Sequence, residues 1–220
     1  LVRGSVIRRE YGNVISKITL SVWIAEEGLV RVAYFPGAVA EDEPSYAVSP
    51  EYVAPGAEIR EYDEPGIHVI ETRLLRIRIR TEEQKVDFYD IVTDEPLLTD
   101  ESGFGRESKD WTGDCRVWIR KRLQETEHFF GLGDKPCALN LRGKYFAMWG
   151  ADHYDFHEES DPLYKSIPFF LSLREGRAYG LLFDNTCRSY FDFGATDETV
   201  LSFGSFGCLL YTSPSPRDTR

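Results

Sequence analysis

The chain has 220 residues, a net charge of −11 at neutral pH and a hydrophobic content of 42%. This length is enough for one large or two small domains whose core needs neither a disulfide nor a metal. The acidic balance argues against nucleic-acid binding, which needs a cationic surface, and no apolar run reaches the roughly 18 residues of a membrane helix. No signal peptide is visible, which favours a cytoplasmic protein, although the chain begins with leucine rather than methionine.

Strand-like alternation begins near the N-terminus. Between Ile18 and Ile24 every second residue is Ile, Leu or Val, so one face of the predicted strand is apolar. Glu26 to Gly28 predicts a turn, and Leu29 to Phe35 the returning strand. Leu75 to Arg80 alternates apolar residues with arginines, which predicts a half-buried strand whose arginines face water.

Further strands are predicted at Val86 to Ile91, Val117 to Leu123 and Tyr179 to Phe183. The polar stretches Ala38 to Pro65 and Thr99 to Gly113 predict long loops. No window of a dozen residues has the three-and-four spacing of an amphipathic helix. Many short strands between Gly, Pro and Asp turns predict an all-β fold of the antiparallel sandwich type.

The four cysteines form no Cys-x-x-Cys pair and are separated by long gaps. This spacing favours free thiols over a zinc or disulfide framework, which stays open as the alternative. The cysteines are Cys115, Cys137, Cys187 and Cys208.

The segment from Phe129 to Gly194 carries the most specific pattern in the chain. It contains Phe-Phe-Gly-Leu-Gly at 129–133, Asn-Leu-Arg-Gly at 140–143, Met-Trp-Gly-Ala-Asp at 148–152 and Asp-Pro-Leu-Tyr-Lys-Ser-Ile-Pro-Phe-Phe at 161–170. Two prolines in the last string fix φ at both ends of a turn that leads into an apolar strand. Together these motifs closely resemble the end of the N-terminal β-sandwich domain of family 31 glycoside hydrolases, the α-glucosidase and α-xylosidase group. Asp134 stands where that family usually has Glu, and Gly150 where it often has Asn.

The resemblance implies an antiparallel β-supersandwich of the galactose mutarotase-like type over residues 1–207, followed at 208–220 by a partial last strand and linker or a non-native tail. It also implies a retaining α-glycosidase that acts on α-linked oligosaccharides, with the nucleophile and the acid/base on a (β/α)8 barrel. This chain contains no Trp-x-Asp-Met-type nucleophile segment. We therefore expect no catalytic residue in it, no activity of the chain alone, no cofactor, and its own barrel as the partner in the full-length chain. The oligomeric state stays open.

The resemblance further implies that the loop from Trp149 to Pro162 reaches over the barrel mouth and helps to form the substrate pocket. Asp152 matches the family's aspartate that hydrogen-bonds sugar hydroxyls, a role that suits a carboxylate because it accepts from two adjacent hydroxyls. Tyr154 is placed to stack on a sugar. The alternatives are a turn aspartate that caps local backbone and an aromatic side chain packed on the sandwich. The Asp, His and Glu residues of the loop also resemble a metal site, but the family loop requires no ion, and we expect no metal.

Two other functions fit a sandwich of this kind, because fold alone does not determine function. One is a stand-alone carbohydrate-binding module and the other an aldose mutarotase-like epimerase. A mutarotase needs a His/Glu acid–base pair inside the sandwich groove, which the sequence does not place. The string at 161–170 favours the glycosidase domain.

Overall fold

The computed structural model describes residues 7–13, 18–36, 45, 47–49, 51–108 and 115–206. All regular secondary structure in these ranges is β-strand, which confirms the all-β prediction. None of these residues forms a helix with the length and apolarity that a membrane span requires. The sixteen strands are β1 (Ile7–Asn13), β2 (Ile18–Glu26), β3 (Leu29–Pro36), β4 (Arg60–Glu64), β5 (Ile67–Glu71), β6 (Leu75–Arg80), β7 (Lys85–Asp90), β8 (Pro96–Leu98), β9 (Asp100–Ser108), β10 (Cys115–Arg122), β11 (His128–Gly133), β12 (Tyr145–Met148), β13 (Ser166–Arg174), β14 (Arg177–Leu182), β15 (Ser189–Phe193) and β16 (Val200–Phe206).

Contacts divide the chain into two compact units, with the boundary between Phe104 and Gly105 inside β9. The first unit contains two antiparallel sheets, β1-β2-β3 and β4-β5-β6-β7-β8. The second contains the sheets β12-β15-β16-β10-β9 and β11-β13-β14. The assignment of residues 1–207 to one domain stays a prediction, and the predicted tail at 208–220 lies outside the described residues.

The alternating apolar segments of the first unit form the strands that their pattern predicts, but the two predicted loops are only partly loops. The first ends in β4, and most of the second is β9. The buried carboxylate of Asp100 accepts a hydrogen bond from the Val86 N–H at 2.6 Å, which holds the start of this polar strand in place. A Cβ at Gly103 would meet the Glu83 carbonyl at 2.2 Å, so the glycine that suggests a loop instead permits close approach of another backbone.

The arginines of β6 do not simply face water, as their alternation predicts. Their side chains are only 22–32% exposed, and each guanidinium bonds to a carboxylate of the same sheet. The pairs are Arg76 with Glu71 at 2.8 Å, Arg78 with Glu64 at 3.3 Å and Arg80 with Asp87 at 2.6 Å. This face of the sheet is therefore a charge network rather than a solvated ladder.

One pair of this network makes the stability of the first unit depend on pH. The hydrogen bond from Arg76 lowers the pKa of the Glu71 carboxyl against the opposing effect of burial, and the Tyr62 hydroxyl adds to the lowering. Because folding lowers the pKa of Glu71, the ion pair contributes fully to the free energy of unfolding above the pKa of an unfolded glutamate, about 4.3. This contribution is lost as the pH falls through the pKa of Glu71 in the folded protein.

Glu71→Gln should therefore lower the free energy of unfolding by about 1.5 kcal/mol near neutral pH. At about pH 3 the same substitution should lower it by much less. Urea denaturation at both pH values measures the difference. Glu64→Gln is the matched control, because its bond to Arg78 is longer, at 3.3 Å, and more exposed. An equal loss for Glu71→Gln at both pH values would contradict this assignment.

The second unit is a β-sandwich whose core is made of phenylalanines from both sheets. The β11-β13-β14 sheet contributes Phe129 and Phe170, and Phe183 directly follows β14. These rings face Phe191, Phe193 and Phe203 of the other sheet. Ring centroids lie 4.8 Å apart for Phe129 and Phe193 and 5.2 Å apart for Phe170 and Phe193. Edge-to-face and tilted contacts of this kind add to the free energy gained from burial alone.

The same sandwich buries the carboxylate of Glu127, and hydrogen bonds satisfy it. Glu127, 2% exposed, accepts hydrogen bonds from the Ser172 hydroxyl at 2.6 Å and the Tyr179 hydroxyl at 2.7 Å. The N–H of Gln124 donates to its second oxygen at 3.1 Å. Burial and the nearby Glu127 charge raise the pKa of Tyr179 well above its ordinary value, which keeps that phenol a donor. The network holds the turn before β11 against β13 and β14.

The prediction of free thiols holds for Cys137 and is wrong for Cys187. Cys137 is free and half-buried, whereas Cys187 is disulfide-bonded. Spacing along the sequence does not determine this, because a disulfide depends on which segments the sheets bring within bonding distance. The side chains of the other two cysteines lie outside the described residues.

Candidate functional site

The loop predicted to reach the substrate, Trp149 to Pro162, connects β12 to β13. These two strands belong to different sheets of the second unit. The loop therefore crosses from one sheet of the sandwich to the other. We call these residues the crossing loop.

A buried ion pair fixes the base of the crossing loop. The Lys135 ammonium, whose side chain is 3% exposed, donates to the Asp161 carboxylate and to the Ala147 carbonyl, the latter at 2.8 Å. The second oxygen of Asp161 accepts from the Ala147 N–H. Lys135 follows β11, Ala147 lies in β12, and Asp161 lies near the end of the loop. One charged pair thus joins three segments, and its polar partners satisfy both charges.

Backbone hydrogen bonds hold the loop at both ends. Near its start, the N–H of Ala151 donates to the Leu163 carbonyl at 3.2 Å. Near its end, the N–H of Glu159 donates to the Pro136 carbonyl at 2.8 Å, and the peptide bond before Pro162 is cis. The hydroxyl of Tyr164 donates to the carbonyl of His153 in the middle of the loop.

The Gly-Leu-Gly motif beside this site has a steric cause. β11 contains a bulge between Gly131 and Gly133, where its register against β13 shifts. Both glycines have positive φ, 138° and 83°, and a Cβ there would meet the carbonyl oxygens of Phe169 at 2.5 Å and Lys165 at 2.7 Å. Only glycine fits this combination of backbone angle and close approach. The bulge directs the chain into Lys135, whose ammonium anchors the loop.

The structure places Asp152 and Tyr154 together in the exposed middle of the crossing loop. The Asp152 side chain is exposed, and its carboxylate has no hydrogen-bond partner among the described residues. The Tyr154 side chain is fully exposed, at 103%. Within the described chain Asp152 therefore caps no backbone and Tyr154 packs on no sheet, so both side chains are available to an external partner.

Sequence reasoning missed three further aromatic side chains at this site. Trp149, Phe156 and Tyr164 are 48–53% exposed, and the rings of Phe156 and Tyr164 meet edge to face at 6.2 Å. The only signal in the sequence is the aromatic content of an otherwise polar loop. Sugars pack their apolar ring faces on aromatic side chains of this kind.

The metal alternative finds no geometric support in this loop. Across the parts of the chain that the structure describes, no three His, Cys, Asp or Glu side chains converge as metal ligands would. His157 instead bonds to Ser160 through its ring nitrogen, and its N–H donates to the same hydroxyl at 3.0 Å.

Comparison with known families decides what kind of domain carries this loop. The sequence profile of the glycosyl hydrolase 31 N-terminal galactose mutarotase-like domain matches residues 19–192. The chain belongs to this family. The predicted resemblance is therefore confirmed, and the matched range contains the bulge in β11, the buried ion pair and the crossing loop.

Relatives of this family 31 domain are longer proteins. The chain is 34% identical to alpha-glucosidase 2 of Bacillus thermoamyloliquefaciens over 203 residues, which cover 87% of this chain and 24% of that protein. It is 32% identical to an alpha-glucosidase of Saccharolobus solfataricus over 104 residues, which cover 46% of this chain and 15% of that protein. Among solved structures, a family 31 dextranase of Flavobacterium johnsoniae complexed with isomaltotriose matches with a TM-score of 0.75 and 28% identity, covering 91% of this chain and 24% of that one. The chain thus spans about a quarter or less of the length of each.

Proposed function

We propose that the full-length polypeptide is a retaining α-glycosidase of the α-glucosidase type that acts on α-linked oligosaccharides. The observation that carries this proposal is the family match over residues 19–192, together with 34% identity to an alpha-glucosidase. The dextranase with a similar fold is bound to isomaltotriose, a glucose oligosaccharide, which supports the same substrate class.

In this proposal the bond-breaking groups lie outside the chain. A retaining glycosidase uses two carboxyl groups about 5–5.5 Å apart, one as the nucleophile and one as the acid/base. We place both on a (β/α)8 barrel of the full-length protein, where catalytic residues occupy the C-terminal ends of the strands. No carboxylate of this chain is assigned to the chemical step.

The contribution of this chain is the crossing loop. We propose that the Asp152 carboxylate accepts hydrogen bonds from two adjacent sugar hydroxyls and that the Tyr154 ring packs against the sugar. The free, exposed carboxylate of Asp152 supports this role, because no internal bond has to break before a sugar binds. The buried pair of Lys135 and Asp161 holds the loop in place before binding, which reduces the entropy lost on association.

The test of this function uses the full-length polypeptide and a maltooligosaccharide. Proton NMR of the first product should show the α-anomer of glucose, which later mutarotates, because a retaining mechanism preserves the configuration. The 220-residue chain alone should release no glucose. The β-anomer as first product, or hydrolysis by the isolated chain, would contradict the proposal, and strong sugar binding by the isolated chain would favour a stand-alone binding module.

A further inference from the structure

The outer face of the five-stranded sheet in the second unit carries a row of aromatic side chains. Tyr190 of β15 and Trp118 of β10 both pair with Gly204 of β16, one from each side. Residues that lie directly opposite each other in an antiparallel sheet point to the same face. The neighbouring residues Phe191 and Phe203 fill the core, so Tyr190, Gly204 and Trp118 face outward.

The Arg116 guanidinium joins the two rings across Gly204. Its central carbon lies 5.1 Å from the ring centroid of Tyr190 and 6.0 Å from that of Trp118. Arg116 is two residues before Trp118 in β10, so both side chains leave the strand on the outer face. Cation–π contact with two rings holds the guanidinium in place, although Arg116 is exposed.

Tyr145 and Gly105 extend the row to both edges of the sheet. The Tyr145 ring of β12 stacks on Tyr190 with centroids 5.7 Å apart, and Tyr145 is 47% exposed whereas Tyr190 is 3% exposed. A Cβ on Gly105 of β9 would meet three atoms of the Trp118 indole at 2.1–2.6 Å, so the indole lies across this glycine. The row spans four strand spacings of about 4.8 Å, or about 19 Å. We call Tyr145, Tyr190, Arg116 and Trp118 the aromatic band.

Polar groups lie beside the aromatic band on the same face. Ser202 and Arg120 pair across β16 and β10 and face outward, like their neighbours two residues away. The Ser202 hydroxyl donates to the Tyr190 hydroxyl at 3.5 Å, and the Arg120 guanidinium lies 3.6 Å from the Asp197 carboxylate. An aromatic surface bordered by a few placed polar groups is the usual composition of a ligand site.

We propose that the aromatic band binds α-linked glucan chains and holds a polymeric substrate on the full-length enzyme. This inference rests on the proposed function, because it takes the ligand to be the same class of substrate. Sugars pack their apolar ring faces on aromatic side chains, and a guanidinium with five N–H donors bonds to sugar hydroxyls. The related dextranase complexed with isomaltotriose supports a glucose oligomer as the ligand.

The aromatic band needs little rearrangement before a sugar binds. The buried Tyr190 ring supports the exposed Tyr145 ring, and the half-buried Trp118 indole is fixed over Gly105. Side chains that are already ordered lose little conformational entropy on association. The two accessible rings are therefore a preformed platform.

Charge and size argue against two other ligands. A nucleic acid needs a cationic surface, whereas this chain has a net charge of −11. A stable protein partner buries about 800 Å² on each side, which is more than a single row of side chains offers. A neutral glucan needs neither a high charge nor a large area, because many sugar units of one polymer are held close to the surface together.

The test is native electrophoresis of the full-length polypeptide through gels with and without soluble starch. Tyr145→Ala removes the exposed ring, Tyr145→Phe keeps it, and Arg116→Gln removes the guanidinium but leaves the rings. Tyr89→Ala is the matched control, because Tyr89 also lies near a guanidinium, that of Arg78 at 5.6 Å, but in the first unit. Circular dichroism checks the fold of each variant.

We expect soluble starch to slow the parent, Tyr145→Phe and Tyr89→Ala to the same extent. The apparent affinity of Tyr145→Ala for starch should fall at least about fivefold, and that of Arg116→Gln by a smaller factor. The ratio of kcat/KM on soluble starch to kcat/KM on maltose should fall with it, since only a polymer is long enough to occupy the band and the pocket together. The same losses should appear in an Asp152→Ala background, in which the crossing loop holds sugar less tightly.

The outcomes separate this inference from the proposed function. Unchanged affinity of Tyr145→Ala, or of Arg116→Gln if Tyr145→Ala does not fold, in an enzyme that hydrolyses maltose overturns the glucan surface alone. Absence of retardation in the parent, retardation that disappears with Asp152→Ala, or an equal loss in Tyr89→Ala also overturns it. A loss confined to the band variants, in a polypeptide without glycosidase activity, upholds the glucan surface and overturns the proposed function instead.

Discussion

Asp152→Ala in the full-length enzyme should lower kcat/KM roughly ten- to hundred-fold, because it removes a charged hydrogen-bond acceptor worth about 1.5–3 kcal/mol. The carboxylate has no internal partner among the described residues, so its loss should leave the fold intact. Kinetics on maltose and on longer maltooligosaccharides, with thermal unfolding as a check, measure the effect.

Two variants make this prediction specific. Asp152→Asn keeps one acceptor oxygen and should recover part of the lost kcat/KM, since a neutral amide accepts a weaker hydrogen bond than a carboxylate. Glu158→Ala removes another exposed negative charge from the same loop and should leave kcat/KM unchanged. Equal losses for Asp152→Ala and Glu158→Ala would mean that the loop acts through its net charge, and unchanged kinetics in Asp152→Ala would remove this residue from the site.

Local alternation was enough to predict six of the sixteen described strands, namely β2, β3, β6, β7, β10 and β14, but not β9. Leu20, Val22 and Ile24 of β2 and Ile77 and Ile79 of β6 are buried, as the period of two requires. β9 reads Asp-Glu-Ser-Gly-Phe-Gly-Arg-Glu-Ser, which has no apolar alternation. It is a strand because Asp100 bonds to the Val86 backbone and because two glycines leave room for close neighbours. A Cβ at Gly103 would meet the Glu83 carbonyl, and one at Gly105 would meet the Trp118 ring. These causes are tertiary, and no sequence window contains them.

The candidate site divides in the same way. The limits of the crossing loop and the choice of Asp152 came from the family motifs, whose order survives in this chain. Those motifs did not predict the exposure of Tyr154 or the edge-to-face contact of Phe156 with Tyr164. Side-chain rotamers in a loop depend on the tertiary contacts that hold the loop in place. The anchor itself joins Lys135 to Asp161 across 26 residues of sequence. A charge pair at that separation can be identified only once the strands between are in place.

The ion pair of Lys135 and Asp161 should contribute strongly to the stability of the second unit. Lys135→Met should lower the free energy of unfolding by about 3–5 kcal/mol, because it leaves the largely buried Asp161 carboxylate without its cation. The loop base should loosen with it, so KM of the full-length enzyme should rise more than kcat falls. Urea denaturation gives the stability, and proteolysis within the crossing loop gives the local effect.

Lys144→Met is the control that the chain itself offers. Lys144 also pairs with a loop carboxylate, that of Glu159 at 3.4 Å, but the Glu159 side chain is 75% exposed. Exposed pairs of this kind contribute about 0–1 kcal/mol, so this variant should have nearly unchanged stability and KM. Similar losses in the two lysine variants would show that burial gives the Lys135 pair no special role.

A double variant separates the charge pair from the hydrogen bonds around it. Replacing both Lys135 and Asp161 with Met and Leu removes the unpaired charge, and buried pairs exchanged in this way are often neutral in stability. Here the Ala147 N–H and carbonyl, which bond to Asp161 and Lys135, would lose their partners. A fully buried backbone group left unpaired costs about 1–3 kcal/mol, and these half-buried groups should cost less. We therefore expect the double variant to recover only part of the stability that Lys135→Met loses. Full recovery would show that the pair acts by charge alone and does not hold β12 to the crossing loop.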